Sequence, residues 1–207
     1  MTKETQYPDY LREKALIERD GFKRIVGVDE AGRGPGAGPV VACALYVPPD
    51  QVSSLAGRVK DSKKMTKKMR DKMYSFLVTS FDYAIGIVDN KEIDRINILE
   101  ATKVAMKKAI SQIPDVDYAL IDGNMTINDL TVPYDSIIKG DNISISIAAA
   151  SVVAKVTRDR MMKELHDQYP LYGWNTNKGY LSKKHIEAIK THGTTPYHRM
   201  SFRKVGR

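Results

Sequence analysis

The chain predicts a mixed α/β layer structure. Three observations carry that expectation. Strand-like apolar runs come first and then alternate with segments of helical period, the order of a mixed sheet covered by helices. Two early runs lie close enough in sequence to pair antiparallel. A long helical pattern near residue 150 carries Ala148, Ala149, Ala150 and Ser151, small enough to pack closely on a sheet.

Taken in order, Pro8-Asp9 opens a charged helix over 8–20, with Leu11, Ala15 and Leu16 near one face and Gly21 as its stop. Strands follow over 24–28, 40–47 and 83–88. Between the last two lies a helix over 66–80, whose Met69, Met73, Phe76 and Leu77 recur at helical spacing, so these methionines belong to a core. A helix over 97–113 ends at Pro114. Short strands over 118–121 and 134–138 come next, and Lys139-Gly140-Asp141 leads into the long helix over 144–168. The C-terminal part is basic, with a helix over 182–192 and a tail, Tyr197 to Lys204, that mixes cations with aromatics. The tail reads as a solvated terminus tethered by Phe202, or alternatively as a lid over bound nucleic acid.

A chain of 207 residues is read as one domain over 1–207, with a core over about 22–168 and a C-terminal region over about 169–207. Hydrophobic residues at 42% and charged residues at 28% exclude wholesale disorder. The 33 Lys and Arg against 25 Asp and Glu leave a net charge of +8, the balance of a surface that meets a polyanion. The single cysteine, Cys43, lies in an apolar run, which excludes a disulfide framework and a cysteine zinc site. The start, Met1 to Gln6, lacks the apolar core of a signal peptide, and no apolar stretch is long enough for a bilayer span. A soluble, cytoplasmic protein with no membrane contact is expected, and a monomer.

The chemistry is concentrated where Ile25-Val26-Gly27-Val28 runs into Asp29-Glu30 and then into the glycine-rich turn Gly32 to Pro39. Adjacent strand residues point to opposite faces, so both acids serve one site only if the strand ends or bulges there. Two carboxylates about 4 Å apart repel by roughly 4 kcal/mol at an effective dielectric of 20, and a divalent cation reverses that cost. Asp122 and Asp141 also fall at the end of a strand or the start of a helix. Oxygen ligands without a Cys or His cluster suit magnesium or manganese, and two such ions support in-line phosphoryl displacement. Capping of helices is the plain alternative for such aspartates.

Several segments together are similar to another group of proteins. Gly27-Val28-Asp29-Glu30-Ala31-Gly32-Arg33-Gly34-Pro35, Asp61-Ser62-Lys63-Lys64, Ile121-Asp122-Gly123, Lys139-Gly140-Asp141, Ala149 to Asp159, Lys178-Gly179-Tyr180 and His198-Arg199-Met200-Ser201-Phe202 resemble the bacterial ribonuclease HII family, in that family's order. The resemblance implies a ribonuclease H-like α/β fold with a mixed sheet flanked by helices and a small helical C-terminal region. It implies hydrolysis of the RNA strand of RNA–DNA hybrids and nicking of duplex DNA 5′ to an embedded ribonucleotide, leaving 3′-hydroxyl and 5′-phosphate ends. Asp29, Glu30, Asp122 and Asp141 would hold two Mg2+ or Mn2+ ions. The Gly32-Arg33-Gly34 loop would contact the ribose 2′-hydroxyl through its backbone, Tyr180 would pack on the deoxyribose beyond the junction, and Lys63, Lys64, Lys178 and Arg199 would meet the substrate. Gly36 and Leu181 depart from the usual pattern, away from this chemistry. The lack of a long N-terminal extension favours type HII over type HIII.

Gly32-x-Gly34-x-x-Ala37 formally fits a dinucleotide-binding fingerprint, but Pro35, Pro39 and the β-branched run after them predict strand where that motif needs helix. No Lys-Ser or Lys-Thr follows the glycines, so a P-loop is excluded. The competing readings are another two-metal nuclease of the same fold acting on DNA, and a nucleic-acid-binding protein without catalysis. Of the histidines, His185 and His192 read as surface residues at helix ends and His198 as a neighbour of phosphate. Asp159 reads as an intrahelical ion-pair partner.

Overall fold

The computed structural model describes residues 7–206; the polar run 1–6 and Arg207 lie outside them. Five strands and seven α-helices follow in the order α1 (Leu11–Asp20), β1 (Ile25–Ala31), β2 (Val40–Tyr46), α2 (Lys67–Ser80), β3 (Tyr83–Val88), α3 (Asn90–Ile96), α4 (Ile98–Ile110), β4 (Tyr118–Asp122), β5 (Tyr134–Ile137), α5 (Ile145–Gln168), α6 (Trp174–Asn177) and α7 (Lys183–His192). The sheet has the order β3-β2-β1-β4-β5. β1, β2 and β3 pair antiparallel, whereas β4 and β5 are added parallel to β1. Mixed strand direction is as expected, and so is the antiparallel pair made by the two early runs.

Strand alternation divides the core between the two faces. Val26 and Val28 of β1 join Val40, Ala42 and Ala44 of β2 in a core closed by Ala101, Ala105, Met106 and Ala109 of α4. On the other face, Cys43 and Leu45 meet Met73 and Leu77 of α2 and Ala148, Ala149, Val152 and Val153 of α5. α5 lies so close to β1 that a Cβ on Gly27 would stand 2.1 Å from the Ser146 backbone carbon. No side chain fits there. The first turns of α5 are held from below by α1, where the buried Glu13 accepts from Ser144 Oγ at 2.6 Å and from the Ser146 amide at 3.3 Å.

Two elements differ from expectation. The predicted helix over 97–113 is preceded by a separate one, α3. Asp89 caps α3 by accepting from Glu92 N–H, and Asn97 breaks the path at φ 67° while its side chain caps α4. An asparagine tolerates that left-handed turn, so the polarity of the segment hid a helix boundary. The first helix starts at Leu11 because Asp9 is engaged elsewhere, pairing its backbone with Ile143 and Ile145 at the start of α5. Among the described residues no helix is long and apolar enough to cross a membrane.

Candidate active site

β1 outruns its parallel neighbour. Its ladder with β2 continues in unbroken register to Ala31 opposite Val41, whereas pairing with β4 stops at Val28 beside Ile121. The strand therefore neither bulges nor ends on the β2 side; it ends on the β4 side alone. Asp29 shares the face of Gly27 towards α5, and Glu30 the face of Val28. Beyond Val28 no β4 residue separates the two faces, so both acids line one cleft of about 220 Å³.

Register supplies the other acids. Asp122 is the next residue after Ile121 and closes β4. After β5, Lys139 takes a left-handed φ of 57° and a tight turn over Gly140–Asn142 carries Asp141 back towards β4. The Gly140 amide donates to Asp122 Oδ1 at 2.7 Å, tying the two together. Asp29 Oδ1 accepts from the Glu30 amide at 2.7 Å, and Asp141 Oδ1 from Asn142 Nδ2 at 2.6 Å. One oxygen of each aspartate is thus anchored locally.

Electrostatics set Asp29, Glu30 and Asp141 apart from capping residues. Burial, then the charges of Glu30, Asp122 and Asp141, push the Asp29 carboxyl well above the usual range. Glu30 is raised by burial and by Asp122, against the opposing pull of Arg33. Burial, Asp61 and Asp122 push Asp141 up to about 6. Lys63 is drawn down by burial, but Asp29, Asp61, Asp141 and Asp122 outweigh this and hold it raised. Among the described residues no three His, Cys, Asp or Glu side chains are gathered tightly enough to grip an ion as they stand. The donor set, all hard oxygen, fits a divalent cation that would relieve the mutual repulsion of these anchored carboxylates.

The opposite wall is irregular backbone. Gly32 stands at φ 103° with its Cβ position 2.1 Å from Arg158 Nε, and a Cβ on Gly34 would meet the Tyr180 ring at 3.2 Å. Arg33 is exposed and reaches Glu30 at 3.5 Å; Tyr180 is half exposed at the rim. Lys63 and Lys64 rise from a short turn fixed by Asp61, whose side chain accepts from the Lys63 amide, and Lys64 contacts the Asn142 side chain. Lys178 does not line the cleft and turns its ammonium onto the Asn175 carbonyl at 2.7 Å.

Arg199 is not at the surface. It is fully buried, and its guanidinium donates to the carbonyls of Gly38, Arg33 and Gly32, so it supports the loop from beneath instead of meeting substrate. His198 and His185 are buried too, Nε2 to Nε2 at 3.1 Å, with Trp174 Nε1 donating to His185. Neither lies where a phosphate or solvent could reach it, because the rings of Tyr172 and Trp174 close over both. Phe202 packs against the core beside α4, in keeping with a tether. Asp159 pairs with Lys155 at 2.7 Å, as i,i+4 spacing predicts.

Sequence reasoning passed over Asp61, Lys155 and Arg158. Lys155 and Arg158 both line the cleft. Their separation of three residues puts them on one helix face, a signal masked by the run of charges around them.

The match to known proteins follows this geometry. The ribonuclease HII family model matches residues 26–205. Ribonuclease HII of Orientia tsutsugamushi (strain Ikeda) is 50% identical over 92% of this chain and 91% of its own length. The chain belongs to the ribonuclease HII family. It is an endonuclease of the ribonuclease H type, a hydrolase directed at RNA–DNA hybrids. Among solved structures, ribonuclease H2 from Pyrococcus horikoshii OT3 matches with a TM-score of 0.75 and 27% identity over 88% of this chain and 95% of that one. Bst-RNase HIII in complex with Mn2+ shares the fold, with a TM-score of 0.69 and 19% identity over 88% of this chain and 68% of that one. The family match is to type HII, as the sequence suggested.

Proposed function

We propose that this ribonuclease HII-family chain cleaves the RNA strand of hybrids and nicks duplex DNA on the 5′ side of single embedded ribonucleotides, leaving 3′-hydroxyl and 5′-phosphate ends. Its work is removal of misincorporated ribonucleotides, as a cytoplasmic monomer. One observation carries the reading: Asp29 and Glu30 share a cleft with a glycine loop and an exposed tyrosine, and Asp29 feels the repelling charges of Asp122 and Asp141 beside it. Asp29, Glu30, Asp122 and Asp141 hold Mg2+ or Mn2+, a pair of ions in the complex. Bound there, such ions supply charge neutralisation and an activated water for in-line displacement.

The chain's own residues do the rest. The Gly32-Arg33-Gly34 backbone approaches the ribose, whose 2′-hydroxyl is the only group marking a ribonucleotide within DNA. A site built to pair with a hydroxyl rejects the analogue lacking it by about 10⁴–10⁵-fold. Tyr180 covers the adjoining deoxyribose face, and Lys63, Lys64 and Lys155 hold phosphates. The test is incubation with Mg2+ or Mn2+ and three duplexes: all-DNA, continuous hybrid, and DNA with one ribonucleotide. Cleavage of the last two alone is expected. Equal cleavage of all-DNA duplex would favour a DNA nuclease of the same fold, and binding without cleavage a non-catalytic protein.

A further inference from the structure

Two buried arginines support the glycine wall, and the mechanism above does not use them. Arg158 donates from Nε, Nη1 and Nη2 to the carbonyls of Pro39, Lys178 and Ala37 at 2.9, 2.9 and 3.1 Å. Arg199 donates likewise to Gly38, Arg33 and Gly32 at 2.9, 3.1 and 2.7 Å. Both are almost wholly buried, and among the described residues neither forms an ion pair. Burial lowers Arg158 to about 10, and burial with the neighbouring Arg158 lowers Arg199 to about 9, so both remain cationic at neutral pH. Two uncompensated buried cations are costly. Packing alone would use apolar side chains, so the donors themselves are what this position requires.

The consequence lies in peptide geometry. In a trans peptide the C=O and the following N–H point in opposite directions. With the Gly32 and Arg33 carbonyls drawn down onto Arg199, the amides of Arg33 and Gly34 are turned up, away from Arg199. Arg158 acts one step away. It holds the Lys178 carbonyl, two residues before Tyr180, and lies under Gly32, while the Gly36 amide bonds the Gly179 carbonyl at 2.9 Å. One guanidinium thus fixes the direction of the loop amides, and the other the separation between loop and tyrosine.

We propose that Arg199 and Arg158 are the positioning residues for ribose selection: Arg199 aims the Arg33 and Gly34 amides at the 2′-hydroxyl, and Arg158 sets Tyr180 at its working distance from them. This rests on the functional reading above. The experiment is steady-state kinetics of Arg199→Lys and Arg158→Lys on continuous hybrid and on duplex DNA with one ribonucleotide, with melting temperatures measured alongside. Lysine keeps the charge but loses the fork. Arg199→Lys should lower kcat on both substrates alike, towards the about 10²-fold that a 1 Å misplacement costs, with KM little changed. Arg158→Lys should instead change the ratio of the two rates by at least about fivefold, since only Tyr180 distinguishes a junction. If a lysine variant melts below the assay temperature, the glutamine variant, with two N–H donors and no charge, takes its place. Folded variants with wild-type rates, or equal losses from both on both substrates, would overturn the assignment, as would failure of every variant to fold. Wild-type protein that cut neither ribonucleotide-containing duplex would instead defeat the functional reading.

Discussion

The two walls of the cleft are built by opposite means. On the acid wall, Asp29, Glu30 and Asp122 stand on hydrogen-bonded strands and Asp141 on a turn bonded to one of them, so rigid elements hold charges that repel. Among the described residues the glycine wall pairs only through an isolated bridge between Ala37 and His198, and its irregular backbone is held by side chains beneath it. The sheet can bear the repulsion because its register is fixed by two packed faces. The loop needs freedom of φ and close approach, which regular structure denies it, so its rigidity comes from buried arginine forks. Electrostatic strain and conformational strain are thus kept on separate supports.

That division is broken most severely at the acid wall. Asp29→Asn, Glu30→Gln, Asp122→Asn and Asp141→Asn should each lower turnover by at least about 10²-fold, while leaving the fold intact. Each removes a repelling charge, so melting temperature in EDTA should hold or rise. Near-normal cleavage by the Asp29 or Asp122 variant at saturating magnesium would remove that residue from the metal site. A large fall in melting temperature for all four would mark them as structural.

Damage to the other wall should depend on the substrate. Gly34→Ala places a methyl 3.2 Å from the Tyr180 ring, where the sugar is to approach, and should impair every ribonucleotide-containing duplex. Tyr180→Ala should weaken cleavage most at an RNA-to-DNA junction, and Tyr180→Phe, which keeps the ring, less. Turnover of the three on hybrid and on single-ribonucleotide duplex decides. Wild-type rates for Tyr180→Ala on both would return Tyr180 to an ordinary rim residue.

Smaller effects belong to the cations around the cleft. Affinity measured in Ca2+, to suppress cleavage, should fall steeply with salt, and loss of Lys63 should reduce the log–log slope by about 0.9 if it meets a phosphate of B-form DNA. Loss of Lys64, Lys155 or Lys178 should change it less, because their ammoniums are already engaged by the Asn142 side chain, Asp159 and the Asn175 carbonyl. A slope insensitive to all four would separate the net charge of the chain from its substrate grip.

The acid wall was far more legible in the sequence than the loop wall. Asp29 and Glu30 close an apolar run and Asp122 follows another, so strand ends could be read from the apolar runs alone, although the one-sided ending of β1 depends on which strand pairs with it. Asp141 was placed only through its turn residues. Arg158 and Arg199 were hidden for a physical reason: an arginine that spends its N–H groups on backbone carbonyls leaves no periodic or charge-pair pattern. Arg199 even sat among exposed-looking cations, and its burial is set by carbonyls more than 160 residues away in sequence. The same holds for His185 and His198, whose partners are each other.

The smallest expected effect sharpens the comparison most, because it measures what burial and repulsion together cost the acid wall. Asp141 has a folded-state value of about 6 against 3.8 for the free group. A raised acid destabilises the fold when ionised: between about pH 4 and 6 the native state keeps a proton that the unfolded chain releases, so its contribution improves as pH falls. In EDTA, Asp141→Asn should therefore melt higher than wild type at pH 8, by a few degrees, at about 2–4 °C per kcal/mol for a chain of this size. The gap should close through pH 6 and vanish near pH 4, where the wild-type carboxyl is already neutral. Taking the difference between the two proteins cancels His185 and His198, which are lowered by burial and weaken the fold on acidification. Saturating Mg2+ at pH 8 should reverse the order, raising the wild type more than the variant, since an ion gains most where the most negative charge awaits it. A melting difference that is flat with pH and unmoved by Mg2+ would mean that neither burial nor repulsion raises Asp141, and the acid wall would lose the feature that sets it apart from the loop.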